Sequence, residues 1–254
     1  MNGFEYIFKD AENEYKNSEI NDLESFRYQR NLYGFCINSG GIDQMSLDYS
    51  KDINIELTEN FINQPKNLIG YKGHETEYEI IDDLDSKHIL LLTFLFNNNS
   101  RIFNKIVEIG GGFGNMCRLC NNIITYNQWD IIDIPHMLEL QKFYLTNEIK
   151  NISKINFIDA YSDKKYDNQL IDLVIGCHSM SEFSWNVFFN YFQNVIVNCN
   201  YFYMGYNKNC PSPQLINAKV DYILNNGFIL EKNFDYTEKF GANVSYSLYK
   251  NIKI

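Results

Sequence analysis

At 254 residues, the chain can bury a substantial core, which predicts one catalytic domain with an N-terminal addition rather than two equal domains. Its formal net charge is -10, and its Lys and Arg residues are scattered, which argues against nucleic acid because such partners require a basic face. No apolar stretch approaches the roughly 20 residues that span a bilayer, and the N-terminus lacks signal-peptide features. The sequence therefore predicts a soluble, cytoplasmic protein whose partner is a small molecule, with no contact to membranes.

The cysteines are irregularly spaced, and several lie in segments typical of buried strands or helices. This pattern predicts reduced thiols. Cys117 and Cys120 have the spacing of a metal or redox pair, but no second pair or histidine stands at a zinc-like distance along the chain. Packing in the core is the preferred interpretation of this pair, and no metal site is predicted.

The first 100 residues are polar and mostly helical in pattern. The segment from about His74 to Phe96 has apolar positions at helical spacing, which predicts a helix that docks on the following sheet. The Asn-rich run at 97–100 ends this helix and is the best candidate for a domain junction. We therefore predict a mainly helical region over residues 1–100, placed to cap a ligand site, and a second domain over residues 101–254.

Strand and helix patterns alternate after this junction. The predicted strands span 105–109, 129–134, 155–158, 170–177, 194–203, 228–236 and 244–250, and the predicted helices span 115–124, 135–147, 185–192 and 214–225. Such alternation predicts an α/β fold with a Rossmann-like, seven-stranded, mostly parallel sheet and helices on both faces. Because no helix separates the last two strands, one of them should be antiparallel to the rest.

The most informative stretch is the glycine-rich turn that follows the first predicted strand, Ile-Val-Glu-Ile-Gly-Gly-Gly-Phe-Gly-Asn at 106–115. Its glycines let a backbone approach a nucleoside without Cβ atoms in the way. A dinucleotide fingerprint requires a small residue at position 115, where this chain has Asn115, so NAD and FAD are disfavoured. Glu108 can instead reach toward a ligand with an ammonium group, such as S-adenosylmethionine (SAM). Here the sequence resembles the class I SAM-dependent methyltransferases.

Ligands of open parallel sheets bind beyond the carboxyl ends of the strands. At the end of the second predicted strand, Asp133 can accept both ribose hydroxyls and is preferred to Asp130. After the third strand, Asp159 is a candidate partner for the adenine amino group, with an ordinary surface turn as the alternative, and Ala160 offers a backbone amide. The predicted cofactor contacts are Glu108, Gly110, Gly111, Gly112, Gly114, Asp133, Ile134, Asp159, Ala160 and Cys177.

A narrower resemblance is carried by several motifs in order. These are the glycine-rich turn, Ile-Ile-Asp-Ile-Pro with the helix Leu-Glu-Leu-Gln-Lys-Phe-Tyr-Leu, and a strand followed by Ser-x-x-Glu. The seven-strand pattern resembles the methyltransferase family over roughly residues 102–251, and the order of these motifs resembles the sugar O-methyltransferases of polysaccharide and glycan gene clusters. In that family the fourth strand leads into Asn-Ser-x-x-Glu-Met, which here corresponds to His178, Ser179, Glu182 and Phe183. The resemblance implies SAM as methyl donor and a nucleotide-linked or glycan sugar as acceptor.

Methyl transfer to a sugar hydroxyl requires in-line positioning and benefits from a base that removes the hydroxyl proton. His178 is the first candidate, because an ordinary imidazole is mostly neutral at cytosolic pH. A structural histidine is the alternative for this residue, and His74 is the rival base. Glu182 either orients the imidazole of His178 or binds acceptor hydroxyls.

The segment at 201–208 is rich in rings and amides and resembles an acceptor-binding wall, with an ordinary buried strand as the alternative. The predicted acceptor contacts are Ser179, Tyr206, Asn207 and Lys208. Two other functions remain open, namely a methyltransferase for another small acceptor and a non-catalytic SAM-binding regulator. The chain is also compatible with a homodimer.

Overall fold

The computed structural model describes residues 23–28, 43–67, 69–70, 83–99, 101–162, 166, 169–208, 212–235 and 244–254. Its strands are β1 Ile102–Ile109, β2 Thr125–Asp133, β3 Ile155–Asp159, β4 Ile171–Cys177, β5 Cys199–Asn207, β6 Phe228–Asp235 and β7 Val244–Asn251. Its α-helices are α1 Gln44–Ile62, α2 Asp83–Phe96, α3 Asn115–Cys120, α4 Pro135–Glu148, α5 Ser179–Glu182, α6 Trp185–Asn194 and α7 Pro213–Asn225. Short 3-10 helices lie at Leu23–Tyr28 and Ile196–Asn198.

The seven strands form one sheet in the order β3-β2-β1-β4-β5-β7-β6. The neighbours from β3 to β5 are parallel, whereas β7 is antiparallel to both β5 and β6. The predicted α/β fold with one antiparallel strand is thus confirmed. The carboxyl ends of β1 to β6 lie at one edge of the sheet, and the strand order reverses between β1 and β4. In sheets of this kind a ligand crevice opens beyond that point.

Helices cover both faces of the sheet. On one face, Leu92 of α2 belongs to the same buried cluster as Ile106 of β1 and Tyr203 of β5. The Tyr203 hydroxyl also donates to the backbone oxygen of Leu91 at 3.1 Å. The predicted docking of the helix that ends at Phe96 is therefore confirmed, and the described part of the N-terminal region shares the core of the sheet. The other face is covered by α6 and α7.

Several boundaries differ from the sequence prediction. β2 begins at Thr125 rather than 129, because its polar first half pairs with β1, as in the register Ile102 to Thr125. α3 ends at Cys120 rather than 124, where the chain turns toward β2. β5 spans Cys199–Asn207 rather than 194–203, because the 3-10 helix precedes it. Tyr206 and Asn207 therefore lie within the strand.

Both cysteines of the pair at 117 and 120 are fully buried in the core beneath the glycine-rich turn. Burial raises the pKa of the Cys117 and Cys120 thiols well above the ordinary value, so both are unreactive at neutral pH. The interpretation of the pair as core residues is confirmed. Among the described residues, no helix combines the length and apolarity needed to cross a membrane.

A buried polar cluster joins the N-terminal helices to α3. Asp85 of α2 is 2% exposed, and its carboxylate pairs with Lys66 and with Arg118, whose Nη2 donates at 2.7 Å. Asn115 Nδ2 donates to the same carboxylate at 2.9 Å, and its Oδ1 accepts from the Tyr144 hydroxyl at 3.2 Å. The residue that departs from the dinucleotide fingerprint therefore connects the helix after the glycine-rich turn to the N-terminal region.

We expect Asp85→Ala to lower the free energy of unfolding by about 3–5 kcal/mol, because Lys66 and Arg118 would stay buried without their counter-charge. Urea denaturation measures this change. The matched control is Glu59→Ala, which removes an exposed ion pair to Lys51 with an N to O distance of 2.8 Å and should change stability by less than about 1 kcal/mol. Equal losses in the two variants would contradict a structural role for the buried cluster.

Candidate functional site

The turn after β1 has a backbone that favours glycine. Gly110, Gly112 and Gly114 have φ values of +74°, +57° and +96°, a region that residues with a Cβ rarely adopt. A Cβ at Gly110 would lie 2.5 Å from the Cβ of Ser179, so the turn needs glycine there for space as well. At Gly112, apart from the glycine and its two chain neighbours, no atom in the part of the chain that the structure describes lies within 4 Å of the position that a Cβ would take. The backbone of the turn is therefore open to a ligand at this position.

Glu108 lies near the end of β1 and is 2% exposed. One carboxylate oxygen accepts from Trp129 Nε1 at 3.0 Å. Burial raises the pKa of the Glu108 carboxyl to about 8, against a lowering effect of the Trp129 hydrogen bond and with a further increase from the nearby charge of Asp133. The group is thus largely protonated at neutral pH, and a bound cation would favour its ionised form.

Asp133 is the last residue of β2. Its Oδ1 accepts from the Ile134 backbone amide at 2.9 Å, its Oδ2 accepts from Gln141 Nε2 at 2.7 Å, and the Gly111 amide also donates to the carboxylate. Burial raises the pKa of the Asp133 carboxyl to about 6, while these hydrogen bonds lower it. The side chain therefore lies at the carboxyl end of β2, and its hydrogen bonds hold it against the glycine-rich turn.

Asp130, the other acid of β2, has a different environment. It is fully buried, accepts from the Tyr166 hydroxyl at 2.8 Å, and lies 3.5 Å from Lys105 Nζ. These contacts hold strands and loops together inside the protein. The two acids of β2 therefore differ in position. Asp130 is a structural acid inside the protein, whereas Asp133 lies at the edge of the sheet where the carboxyl ends of the parallel strands meet, which we call the ligand edge.

At the end of β3, Asp159 is exposed and its Oδ1 accepts from the Tyr161 amide at 2.8 Å. The residue thus stabilises a turn while its carboxylate lies at the ligand edge. The Ala160 amide donates to the Asp133 backbone oxygen at 2.9 Å. Because this amide is engaged in the sheet, the adenine contact predicted for it is not available in the structure.

His178 follows Cys177, the last residue of β4, and has φ +65° and ψ -48°. A positive φ is uncommon outside glycine, and such strained residues cluster at functional sites. Its amide donates to the Gly205 backbone oxygen at 2.7 Å, and its backbone oxygen accepts from the Ser181 hydroxyl at 2.6 Å. Burial lowers the pKa of the His178 imidazole, which favours the neutral form of the ring.

The imidazole has a partner that sequence reasoning missed. His178 Nε2 lies 3.2 Å from the Tyr246 hydroxyl, and the two rings meet edge to face at an interplanar angle of 87°. Tyr246 lies opposite Gly205 in the β5–β7 register, and a Cβ at Gly205 would lie 2.7 Å from the tyrosine ring. The glycine within the ring-rich strand was the available signal, because it makes room for the tyrosine.

Glu182 ends the short helix α5, and its amide lies 3.3 Å from the His178 backbone oxygen. Among the described residues, the imidazole is oriented by Tyr246 rather than by Glu182, which corrects one of the two roles predicted for this acid. Burial raises the pKa of the Glu182 carboxyl to about 7, and the charge of Lys219 lowers it. Glu182 is therefore divided between protonated and ionised forms near neutrality.

Lys219 of α7 was not identified from the sequence. Its side chain is fully buried, and its Nζ donates to the backbone oxygens of Met180, Ser181 and Phe183 at 3.0, 3.0 and 2.6 Å. The ammonium group thus fixes the end of α5 and the residue that follows it. No local pattern in the sequence marks this contact.

The predicted acceptor contacts have mixed environments. The Ser179 hydroxyl donates to the Ile109 backbone oxygen, so it joins the ends of β1 and β4 rather than standing free for an acceptor. Lys208 is paired with Asp235. Tyr206 is half-buried and Asn207 is exposed at the end of β5. His74 lies outside the described residues.

The predicted wall at 201–208 is divided by the alternation of the strand. Successive side chains of a strand face opposite sides of the sheet, and Tyr203 is fully buried under the N-terminal helices. Tyr206 instead packs against the cluster on the other face. Only the end of the segment, from Tyr206 to Lys208, is thus placed at the ligand edge.

The fold is similar to that of several solved structures. One is a proposed RNA methyltransferase from Pyrococcus horikoshii, with 11% identity, coverage of 78% of this chain and 97% of that chain, and a TM-score of 0.50. Another is protein 1320 of Thermoplasma acidophilum, with 12% identity, coverage of 80% and 99%, and a TM-score of 0.48. A third is M. capricolum TrmK in complex with S-adenosylhomocysteine, with 12% identity, coverage of 61% and 65%, and a TM-score of 0.44.

No protein-family model and no curated protein matches the sequence. The likeness to the Pyrococcus protein shows that this chain has a Rossmann-like fold found in methyltransferases.

Proposed function

We propose that the chain is a SAM-dependent O-methyltransferase whose acceptor is a sugar hydroxyl, carried by a nucleotide sugar or a glycan. The observation that carries the proposal is the grouping of Glu108, the glycine-rich turn and Asp133 at the ends of neighbouring strands. The Gly111 amide donates to the Asp133 carboxylate, and the charge of Asp133 contributes to the raised pKa of Glu108. Doubly wound sheets bind nucleosides beyond the carboxyl ends of their strands, and this general rule supports the proposal.

The chemistry of these groups fits SAM. The raised pKa of Glu108 reports a buried carboxyl that gains from a cationic partner, and the ammonium group of SAM is such a partner. Asp133 suits the ribose hydroxyls, and exposed Asp159 suits the adenine amino group. The space that the described residues leave beside Gly112 suits a ligand at the glycine-rich turn. Ile134 and Cys177 complete the proposed edge of the site.

When bound, SAM supplies an electrophilic methyl group on a sulfonium. His178 accepts the proton of the acceptor hydroxyl while the new bond to oxygen forms. Its neutral ring suits this role. If the Nε2 proton is donated to the Tyr246 hydroxyl, Nδ1 keeps its lone pair and is the basic atom. Glu182, Tyr206 and Asn207 bind the hydroxyls of the acceptor.

The charge of the chain supports a small acceptor over RNA. A net charge of -10 repels a phosphate backbone, and Lys208, a cation at the ligand edge, is already paired with Asp235. The motif resemblance to sugar O-methyltransferases is the reason for proposing a sugar as the acceptor. The regulatory alternative, in which SAM binds without transfer, differs only in its outcome with acceptors.

The test is transfer of labelled methyl from SAM to a panel of nucleotide sugars and oligosaccharides. We expect His178→Ala to lower kcat by about 10²- to 10⁴-fold and to leave the affinity for S-adenosylhomocysteine within about threefold. Tyr246→Phe should lower kcat less and shift its pH profile, because the ring remains but its hydroxyl is lost.

The matched control is Tyr249→Phe. Tyr249 is a buried tyrosine that lies in β7, as Tyr246 does, but it packs in the core on the sheet face covered by α6 and α7. This variant should retain the wild-type rate. An unchanged rate in His178→Ala would refute the role of this base and return His74 to consideration. Failure of the wild-type protein on the whole panel, despite SAM binding, would contradict the sugar methyltransferase and favour the regulator.

A further inference from the structure

Gln141 lies in α4 and is fully buried beside the glycine-rich turn. Its Nε2 donates to Asp133 Oδ2 at 2.7 Å and to the Gly112 backbone oxygen at 2.8 Å. Because both partners are acceptors, they fix which end of the carboxamide faces them. The nitrogen is engaged, and the oxygen is left for another contact.

Within the described part of the chain, that oxygen has no hydrogen-bond donor. Gln141 Oε1 is buried and accepts no hydrogen bond from the residues that the structure describes. Buried acceptors are almost always satisfied in folded proteins, and an unsatisfied one is unfavourable. A donor supplied by a ligand would remove this cost.

The Asp133 carboxylate, which accepts from the Gln141 amide, has most of its acceptor positions already occupied. A carboxylate has about four acceptor positions, and Asp133 already accepts from Ile134, Gln141 and the Gly111 amide. About one position is left. A vicinal diol brings two hydroxyl donors, so Asp133 alone cannot serve both well.

Space for such a ligand lies alongside. At Gly112, whose backbone oxygen holds the Gln141 amide, no atom of the described residues beyond Gly112 and its two chain neighbours lies within 4 Å of where a Cβ would be. A sugar ring entering there would lie next to the Asp133 carboxylate and next to the Gln141 carboxamide, which donates to both Asp133 and the Gly112 backbone oxygen.

We infer that Asp133 and Gln141 together bind the ribose diol of the nucleoside cofactor, one hydroxyl donating to the carboxylate and the other to Gln141 Oε1. Gln141 is thereby a determinant of specificity for an intact ribose. This inference rests on the proposed function, because it requires the nucleoside to bind at this edge of the sheet.

The experiment is calorimetric titration with S-adenosylhomocysteine and its 2′-deoxy and 3′-deoxy analogues. We expect the wild-type protein to bind at least one deoxy analogue about 10-fold more weakly or worse. Gln141→Met, of similar volume but without donor or acceptor, should weaken binding of S-adenosylhomocysteine by about 10-fold or more. The same variant should change binding of the more weakly bound deoxy analogue much less. The difference in affinity between S-adenosylhomocysteine and that analogue should therefore largely disappear.

Gln141→Glu provides a second variant that keeps an acceptor oxygen. It should bind all three ligands more weakly than the wild-type protein, because it adds charge beside Asp133, yet retain the preference for the intact ribose. The matched control is Gln193→Met in α6, where the exposed amide donates to the Tyr222 hydroxyl at 3.0 Å, and it should leave binding unchanged.

Two results would overturn the inference while leaving SAM binding intact. An equal loss for all three ligands in Gln141→Met would mean that the side chain only supports the turn. Tighter binding in this variant would mean that the side chain blocks the site. Absence of binding to the folded wild-type protein would instead refute the proposed function itself.

Discussion

Glu108→Gln is expected to stabilise the ligand-free protein at pH 8 by roughly 2 kcal/mol or more relative to the wild-type protein. The carboxyl titrates near 4.5 in the unfolded chain and near 8 in the folded one. Between these values the unfolded state has released a proton that the folded state keeps. The contribution of Glu108 to stability is therefore full below about pH 4.5 and is lost as the pH rises through 8. Glutamine does not titrate and can still accept from Trp129.

Urea denaturation of both proteins at pH 5, 6.5 and 8 tests this expectation. The difference between their free energies of unfolding should grow with pH across the series. Glu231→Gln, an exposed acid in β6, is the control and should follow the wild-type protein throughout. A difference that is independent of pH would mean that Glu108 is ionised in the ligand-free fold.

The same substitution should weaken binding of S-adenosylhomocysteine, because glutamine carries no charge to pair with the ligand's ammonium group. We expect a loss of about 10-fold or more. Stability would thus be gained where binding is lost, which is the usual trade-off at functional sites. A stabilised variant with unchanged affinity would place the ammonium group elsewhere.

Asp133→Asn is expected to weaken binding of S-adenosylhomocysteine by about 10- to 100-fold, because hydrogen bonds to a charged acceptor are stronger than those to an amide. Burial raises the pKa of the Asp133 carboxyl to about 6, so removal of the charge relieves a burial penalty at pH 7. The amide nitrogen of asparagine, however, cannot accept from the Ile134 or the Gln141 donor that faced the replaced oxygen, so we expect a modest net loss of stability. Calorimetry and thermal unfolding give the two quantities.

Asp130→Asn is the informative comparison on the same strand. It weakens the contacts to Lys105 and Tyr166, so its unfolding temperature should fall while the folded protein binds S-adenosylhomocysteine normally. Wild-type affinity in Asp133→Asn, or loss of binding in Asp130→Asn at a temperature where it is folded, would reverse the assigned roles of the two acids.

Local patterns were sufficient to predict the architecture after residue 100. Apolar runs marked the strands. The turn after β1 could be recognised because Gly110 and Gly112 adopt positive φ, which favours glycine, and a cluster of glycines is visible in the sequence. The position of Asp133 followed as well, since the end of a parallel strand places its last side chain at the ligand edge. These features depend on neighbours in the sequence, so the sequence alone carried them.

Contacts between distant elements were missed. Tyr246 reaches His178 from β7, 68 residues away, and Lys219 reaches the same segment from α7. Gln141 was visible only as one polar residue of an amphipathic helix, because its orphaned oxygen depends on how α4 packs under the turn. The engaged states of Ala160, Ser179 and Lys208 likewise arise from tertiary packing.

The structural role of Asn115 could not be predicted, although its departure from the dinucleotide fingerprint was recognised. Its departure from the dinucleotide fingerprint disfavoured NAD, but no sequence pattern explained an asparagine at this position. In the structure it bonds to Asp85 of α2 and to Tyr144 of α4. The residue is explained by packing of the N-terminal helices against α3.

Calorimetric titration of the folded wild-type chain with S-adenosylhomocysteine, with NAD as the matched comparison, tests most directly whether this edge of the sheet binds the proposed nucleoside. We predict saturable binding of S-adenosylhomocysteine at micromolar concentrations and none of NAD under the same conditions. Absence of heat with S-adenosylhomocysteine, or binding of NAD in its place, would contradict the assignment of the site.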